Sequence, residues 1–221
     1  MSLNIHEHIF VPSESACPRT LLMLHGTGGS ERDLLPLARM LDPEAAVLSP
    51  RGNVLERGMP RFFRRLAEGV FDAQDVVRRA ADLATWIDAA TQRYALNPEA
   101  ITAVGFSNGA NIAAAMMLLR PPAIHTPQSA ILIRAMVPLD SAAQPAAHPV
   151  APGTRALILA GLKDPIVPAE NSRRLAAMLQ AQSIEITLEE LDSGHELTRE
   201  DVTLARAWLD AGQVSRLARP A

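Results

Sequence analysis

Along the chain, short and nearly continuous apolar runs alternate with longer stretches whose apolar positions recur every three or four residues. The short runs are Thr20–Leu24, Ala46–Leu48, Ile101–Val104, Ile131–Val137, Arg155–Ala160 and Ile184–Leu191. Most of them are nearly continuous in Val, Ile, Leu, Met and Ala, as expected of strands covered on both faces in a parallel sheet. A further run, Ile5–Val11, alternates histidine with apolar residues and predicts an antiparallel edge strand. The longer stretches predict helices with recognisable boundaries. Ser30 with Asp33 forms a capping-box pattern opening Glu31–Leu41, and Asp72–Tyr94 carries Val76, Val77, Ala80, Leu83 and Ile87 at helical spacing. Asn108–Arg120 is alanine-rich and stops at Pro121-Pro122. Ala169–Gln182 follows Pro168, and Thr198 with Asp201 caps a last helix through Leu209. Strands and helices alternating at this spacing predict one α/β domain over residues 1–221. Its sheet is mostly parallel, of about seven strands, with helices on both faces. Chemistry in such a sheet gathers on loops at the carboxyl ends of strands.

Composition narrows the function classes. At 48% apolar and 20% charged residues with a net charge of −3, the chain has an ordinary globular balance, and nothing marks a nucleic-acid surface. The single cysteine, Cys17, can form no internal disulfide, which suits a reducing compartment. Met1–Phe10 holds no apolar leader-like run, and the longest apolar stretch, Ile112–Leu119, is far too short to span a bilayer. The expectation is a cytoplasmic protein with neither membrane nor nucleic acid as partner.

The densest chemical signal is Gly105-Phe106-Ser107-Asn108-Gly109, a G-x-S-x-G match between the strand Ile101–Val104 and a small-residue helix. A serine on so tight a strand-to-helix turn is exposed above the sheet in a strained conformation, beside the positive end of the helix. Side chains at either flanking glycine would collide with the adjoining strand or helix. Ser107 is therefore the candidate nucleophile.

A serine needs a base to take its proton and an acid to orient that base. With the chain order serine, acid, histidine, only His125, His148 and His195 can serve as base. His125 and His148 lie in Pro/Ala-rich loops, whereas His195 sits in Asp192-Ser193-Gly194-His195, after the last strand and before a capped helix. His195 is the candidate base. Among the acids, Asp192 shares the histidine's own loop and Asp140 follows the run Ile131–Val137. Asp164 lies in the proline-stiffened loop Gly161–Pro168 after Arg155–Ala160 and is preferred.

An oxyanion hole is predicted where the first confident strand ends, in His25-Gly26-Thr27-Gly28-Gly29. Its glycines let the backbone turn N–H groups towards a developing negative charge, with Thr27 as the first donor and Asn108, next to the nucleophile, as the second. No G-K-[ST] follows, which disfavours a phosphate loop. His25 reads as a structural histidine bonded to backbone. His6 and His8 share one face of the leading run, but no third ligand accompanies them, so exposed strand histidines are expected and no metal.

Taken together, His25–Gly29, Gly105–Gly109, the Asp164 loop and Ser193-Gly194-His195 resemble the phospholipase/carboxylesterase family of α/β hydrolases. Ser49-Pro50-Arg51-Gly52, Arg61-Phe62-Phe63-Arg64-Arg65 and Gly109–Ala113 resemble its methylhydroquinone-resistance branch, and the likeness runs from about Leu21 to Leu209. The resemblance implies an α/β-hydrolase fold and an enzyme cleaving carboxylic esters or thioesters through an acyl-enzyme. It also implies no cofactor and, often, a homodimer. Gly58–Phe71 holds three of the five phenylalanines. There Phe62, Phe63 and Arg64 read equally as a substrate pocket or as packing. No segment is long enough for a large cap, so the expected substrates are small soluble esters. Rival readings are a peptidase or dienelactone-type hydrolase, the latter disfavoured by serine at the nucleophile position. Another is a stress-response protein binding quinone-like aromatics through Phe62 and Phe63.

Overall fold

The computed structural model describes residues 3–14, 19–121, 127–139 and 148–217; Cys17, His125 and Asp140 lie outside the described residues. In chain order the strands of the main sheet are β1 (His8–Val11), β2 (Thr20–Leu24) and β3 (Ala46–Pro50), followed later by β8 (Ile101–Phe106), β9 (Ser129–Ile133), β10 (Arg155–Gly161) and β11 (Glu185–Leu191). They form one seven-stranded sheet in the order β1-β3-β2-β8-β9-β10-β11. Only β1 runs antiparallel, paired to β3 from His8↔Pro50 to Val11↔Val47, as the alternating leading run predicted.

Alternation within the strands explains the layers. Leu22, Leu24, Ala103, Leu132 and Ile158 point to one face, under α2 (Ala73–Tyr94), α3 (Asn108–Leu119) and α4 (Ala169–Gln180). Leu21, Met23, Val104, Ile133 and Leu159 point to the other, under α1 (Leu35–Leu41) and α5 (Arg199–Leu217). Neighbouring side chains on one strand thus feed opposite cores, which is why the runs are apolar throughout rather than alternating. The burial falls on Leu, Ile, Val, Met and Ala, with Trp86 and α3, buried along its whole length, at the centre of the first core. Among the described residues no helix is long and apolar enough to cross a membrane.

Several boundaries differ from the sequence reading, each for a local reason. Helix α1 begins at Leu35, not Glu31, with Pro36 in its first turn; the Ser30 hydroxyl donates to the Asp33 carboxylate at 2.6 Å instead of capping a helix. Strand β9 stops at Ile133, not Val137, because Arg134 turns the chain at φ +54°. The Asp72 cap on α2 and the Thr198–Asp201 box on α5 are both made, but α5 runs on to Leu217. Between β3 and α2 the chain forms two small hairpins that the apolar pattern did not predict, β4 (Val54–Glu56) with β5 (Met59–Arg61) and β6 (Arg65–Ala67) with β7 (Val70–Phe71). Their strands are two or three residues long, too short to carry a period of their own.

Candidate active site

One residue separates the end of β8 from the start of α3, and it is Ser107. The chain can reverse from strand to helix in that space only by forcing Ser107 to φ +51°, ψ −113°, a region that side-chain-bearing residues rarely occupy. Such a conformation costs of order 1–3 kcal/mol and persists because its surroundings over-determine it. The Ser107 N–H donates to the Ile133 carbonyl at 2.9 Å, and its own carbonyl accepts from Asn111 N–H at 2.9 Å, the first bond of α3. The flanking glycines let the parts approach. A Cβ on Gly105 would lie 2.5 Å from the Ala110 backbone, and one on Gly109 would lie 1.9 Å from the Leu24 carbonyl oxygen.

Two loops from the far half of the sheet meet this turn. The Asp164 loop follows β10, and the His195 loop follows β11. His195 Nε2 lies 3.0 Å from Ser107 Oγ, and His195 Nδ1 lies 2.7 Å from Asp164 Oδ2. The other carboxylate oxygen of Asp164 accepts the N–H groups of Ile166 at 2.8 Å and Val167 at 2.9 Å. The Asp164 side chain is fully buried, so its orientation leaves Nδ1 of His195 as the donor and Nε2 as the acceptor facing the serine. The side chain of His195 remains 20% exposed and its ring packs on Phe106 at 5.3 Å between centroids. Residues 107, 164 and 195, picked out from the sequence, are thus brought into one hydrogen-bonded chain.

The His195 loop is held from beneath by a residue that the sequence reading passed over. Arg134 has no exposed surface, and its guanidinium makes a bidentate pair with Asp201, at 2.8 and 2.9 Å. Its remaining donors reach the carbonyls of Gly194 at 2.8 Å and Glu196 at 3.1 Å, on either side of His195, and Ser193 Oγ at 2.9 Å. The only sequence signal would have been an arginine inside the otherwise apolar run Ile131–Val137, where an unpaired charge has no place.

On the opposite side, the turn after β2 brings Gly26 against Phe106, the residue before Ser107: a Cβ on Gly26 would lie 2.9 Å from the Phe106 ring. Among the described residues, neither the Thr27 N–H nor the Asn108 N–H has an acceptor, whereas Gly28 N–H is used by the Pro60 carbonyl and Gly29 N–H by that of Gly26. Both amides selected from the sequence are thus without an acceptor among the described residues. His25 is buried and bonded to backbone on both nitrogens, Nδ1 donating to the Gly26 carbonyl at 2.6 Å and Nε2 accepting from Gly52 N–H at 2.9 Å. Burial pushes its pKa below the usual histidine value, in keeping with that neutral form.

A serine hydroxyl bonded to an imidazole that is bonded in turn to a buried carboxylate is an arrangement capable of acyl transfer. A family model described as phospholipase/carboxylesterase matches residues 6–212. The chain belongs to that family. It is 41% identical over 202 residues to the Bacillus subtilis protein MhqD, covering 91% of this chain and 96% of that one. The Bacillus cereus carboxylesterase is 41% identical with a TM-score of 0.86 and 94% of each chain covered. A Mesorhizobium loti carboxylesterase is 29% identical, with a TM-score of 0.79 and coverage of 91% and 92%. Like these neighbours the chain has the α/β-hydrolase fold, and it is an esterase-type hydrolase.

Other residues singled out from the sequence go elsewhere in this family fold. Phe62 and Phe63 do not line a substrate pocket: they are 2% and 0% exposed and sit in the first core. Phe63 meets Phe71 edge-on at 5.0 Å, and Phe62 packs on His25 at 4.8 Å. Arg64 is exposed and pairs with Asp72, whose carboxyl it holds below the usual carboxylate range. With Asp72, Gln74, Asp75 and Arg78 it lines a surface cavity of about 210 Å³ to which none of residues 107, 164 and 195 contributes. Nor do His6 and His8 stand exposed on a strand. His6 precedes β1, is buried, and bonds through Nδ1 to the Arg51 carbonyl at 2.7 Å, while His8 Nε2 meets the Tyr94 hydroxyl at 2.8 Å. No cluster of three or more histidine, cysteine or acidic side chains fit to hold a metal occurs among the described residues.

Proposed function

We propose that the chain cleaves carboxylic esters or thioesters of small soluble molecules through an acyl-enzyme on Ser107. The observation that carries this is the continuous chain from Ser107 Oγ to His195 Nε2 at 3.0 Å and from Nδ1 to Asp164 at 2.7 Å, on a serine at φ +51°. His195 Nε2 takes the hydroxyl proton as Oγ attacks the carbonyl carbon. The Thr27 and Asn108 amides hold the oxyanion, and the imidazolium, steadied by Asp164, returns the proton to the departing alcohol or thiol. Water, activated by the same imidazole, then releases the acid. Leu162, Ile166 and Leu197, exposed on the acid and base loops, offer an apolar rim for the carbon-rich part of a substrate. Among the described residues no helix is inserted as a cap over that rim, which favours short acyl chains over long ones. The aromatic-ligand reading rested on Phe62 and Phe63, and with both rings sealed in the core it has no contact surface left.

The test is covalent. A fluorophosphonate is expected to label the wild-type chain at Ser107, and Ser107→Ala is expected to lose both the label and p-nitrophenyl acetate turnover, by about 10⁴-fold or more in kcat. Labelling that persists in the alanine variant, or equal turnover of short- and long-chain p-nitrophenyl esters, would overturn the assignment or its substrate class respectively.

A further inference from the structure

The short strand β5 continues into Phe62, and three successive residues there touch both halves of the oxyanion hole. The Pro60 carbonyl accepts Gly28 N–H at 2.9 Å. The Arg61 guanidinium donates to Thr27 Oγ1 at 2.5 Å, and Phe62 N–H donates to Asn108 Oδ1 at 2.8 Å. The N–H groups of Thr27 and Asn108 have no acceptor among the described residues, so one strap grips the side chain of each and leaves its N–H unbonded. We propose that Arg61 is a positioning residue of the oxyanion hole, fixing Thr27 through its hydroxyl and placing a buried positive charge behind the Thr27 amide. The inference rests on the acyl-enzyme reading of Ser107.

The arginine is not needed merely to hold the strap together. Pro60 and Phe62 do that through backbone atoms, and Gly52 lets the strap lie close, since a Cβ there would meet the Arg61 carbonyl carbon at 2.4 Å. The Arg61 side chain is only 3% exposed, with Nε donating to the Phe63 carbonyl at 3.2 Å and lying 3.3 Å from a carboxylate oxygen of Glu56 in an ion pair. Burial, then the like charge of Arg65, pulls its pKa down to about 10 against the opposing pull of Glu56. A cation kept in such a place is costly where an apolar side chain of similar size would pack at least as well. The cost is recovered if the charge acts on something, and the nearest group that gains charge during acyl transfer is the oxyanion facing the Thr27 amide. The Thr27 hydroxyl is three bonds from that amide nitrogen. A fixed positive charge so placed favours the tetrahedral state over the neutral ester, which is the condition for raising kcat rather than lowering KM.

The test compares Arg61→Gln, Arg61→Lys and Thr27→Val in the full chain, with rates expressed per active site titrated by fluorophosphonate. Arg61→Gln is expected to lower kcat for p-nitrophenyl acetate about 10- to 100-fold with KM within about twofold, somewhat less than deletion of a direct donor. It is expected to weaken a trifluoromethyl ketone, whose adduct with the serine carries an oxyanion, by a similar factor. Arg61→Lys, which keeps charge and a donor, recovers part of the loss, and Thr27→Val adds little to Arg61→Gln because both cut one link. Fewer titratable sites with kcat per site unchanged would overturn the inference and leave Arg61 as packing. Should Arg61→Gln fail to fold, Thr27→Val alone decides, since it removes the acceptor and spares the amide; an unchanged kcat there overturns the proposal. Absence of ester turnover and of Ser107 labelling in the wild-type chain would instead overturn the acyl-enzyme reading itself, and this inference with it.

Discussion

The two halves of the site are built to different plans. On what we propose as the base side, the working groups would be side chains, His195 and Asp164, on loops contributed by the far half of the sheet. A side chain has rotamers to lose, and its loop has backbone to order, so that half is held by a network of charged and polar bonds around Arg134 and Asp201. On the proposed oxyanion side the working groups would be backbone N–H groups, one on the glycine-rich turn after β2 and one at the start of α3. Those are oriented by where the chain runs, and a strap of backbone bonds from residues 60–62 suffices to hold them, with one buried guanidinium added. The difference locates the vulnerability of each half: the base side fails when a charge is left unpaired, and the oxyanion side fails when a neutral ring or a short strand loses its grip.

The largest effect is expected on the base side. Arg134→Met leaves the Asp201 carboxylate buried without its partner and frees the carbonyls on both sides of His195. It is expected to cost about 3–5 kcal/mol of stability by urea unfolding, and what folded protein remains should show a lowered kcat. Combining it with Asp201→Leu should recover part of that stability, because the unpaired charge is gone, without restoring kcat, because the loop remains untied. A single variant that keeps wild-type stability would show that the clamp carries no weight.

Acid should separate the halves next. Burial lowers the pKa of both His25 and His6 from the usual 6.5 in the folded chain, so the unfolded chain binds their protons first. Their contribution to stability is therefore complete above about pH 6.5 and erodes as pH falls towards their folded values. Glu31, held low by its bond to Arg51, adds loss in the same direction further down. Protonating Nε2 of His25 also ejects the Gly52 N–H that it accepts, next to the strap. Thermal melts of the wild-type chain between pH 7.5 and 5 are expected to fall steadily, and His25→Gln should flatten part of that slope. An identical slope in the variant would remove His25 from the account.

The smallest effect sharpens the comparison. Lys163 and Asp192 join the same two base-side loops as an ion pair at 2.7 Å, but their side chains are 69% and 74% exposed. Lys163→Ala should change stability by no more than about 0.5 kcal/mol, because solvent already screens the charges and the side chains are free to leave. A loss on the scale of Arg134→Met would mean that exposed and buried pairs brace the loops alike.

Much of this geometry was legible from residues alone, and the reason is local. A glycine on either side of Ser107 announces backbone contact on both sides, and the structure puts Ala110 and Leu24 there. Continuous apolar runs announce strands covered on two faces, and six of the seven are parallel to one another. The misses share a cause as well. Phe62 and Phe63 look the same in sequence whether they face a ligand or a core, since both environments reward an aromatic ring. The hairpins at 54–71 have strands too short for a period, and the alternating histidines of the leading run are explained by Arg51 and Tyr94, more than forty residues away.

By itself the order of residues determined the strand and helix alternation, the sharp turn at 107 and which serine, histidine and aspartate the fold brings to one rim. Those follow from periodicity, from steric exclusion at glycine and from the connection rules of parallel sheets, all of which act between near neighbours or whole elements. Only the tertiary structure decided what stands behind the rim: Arg134 under the histidine loop and Arg61 behind the Thr27 turn. A buried arginine is tolerable solely where distant atoms converge to neutralise and bond it, and that convergence exists only once the chain has folded.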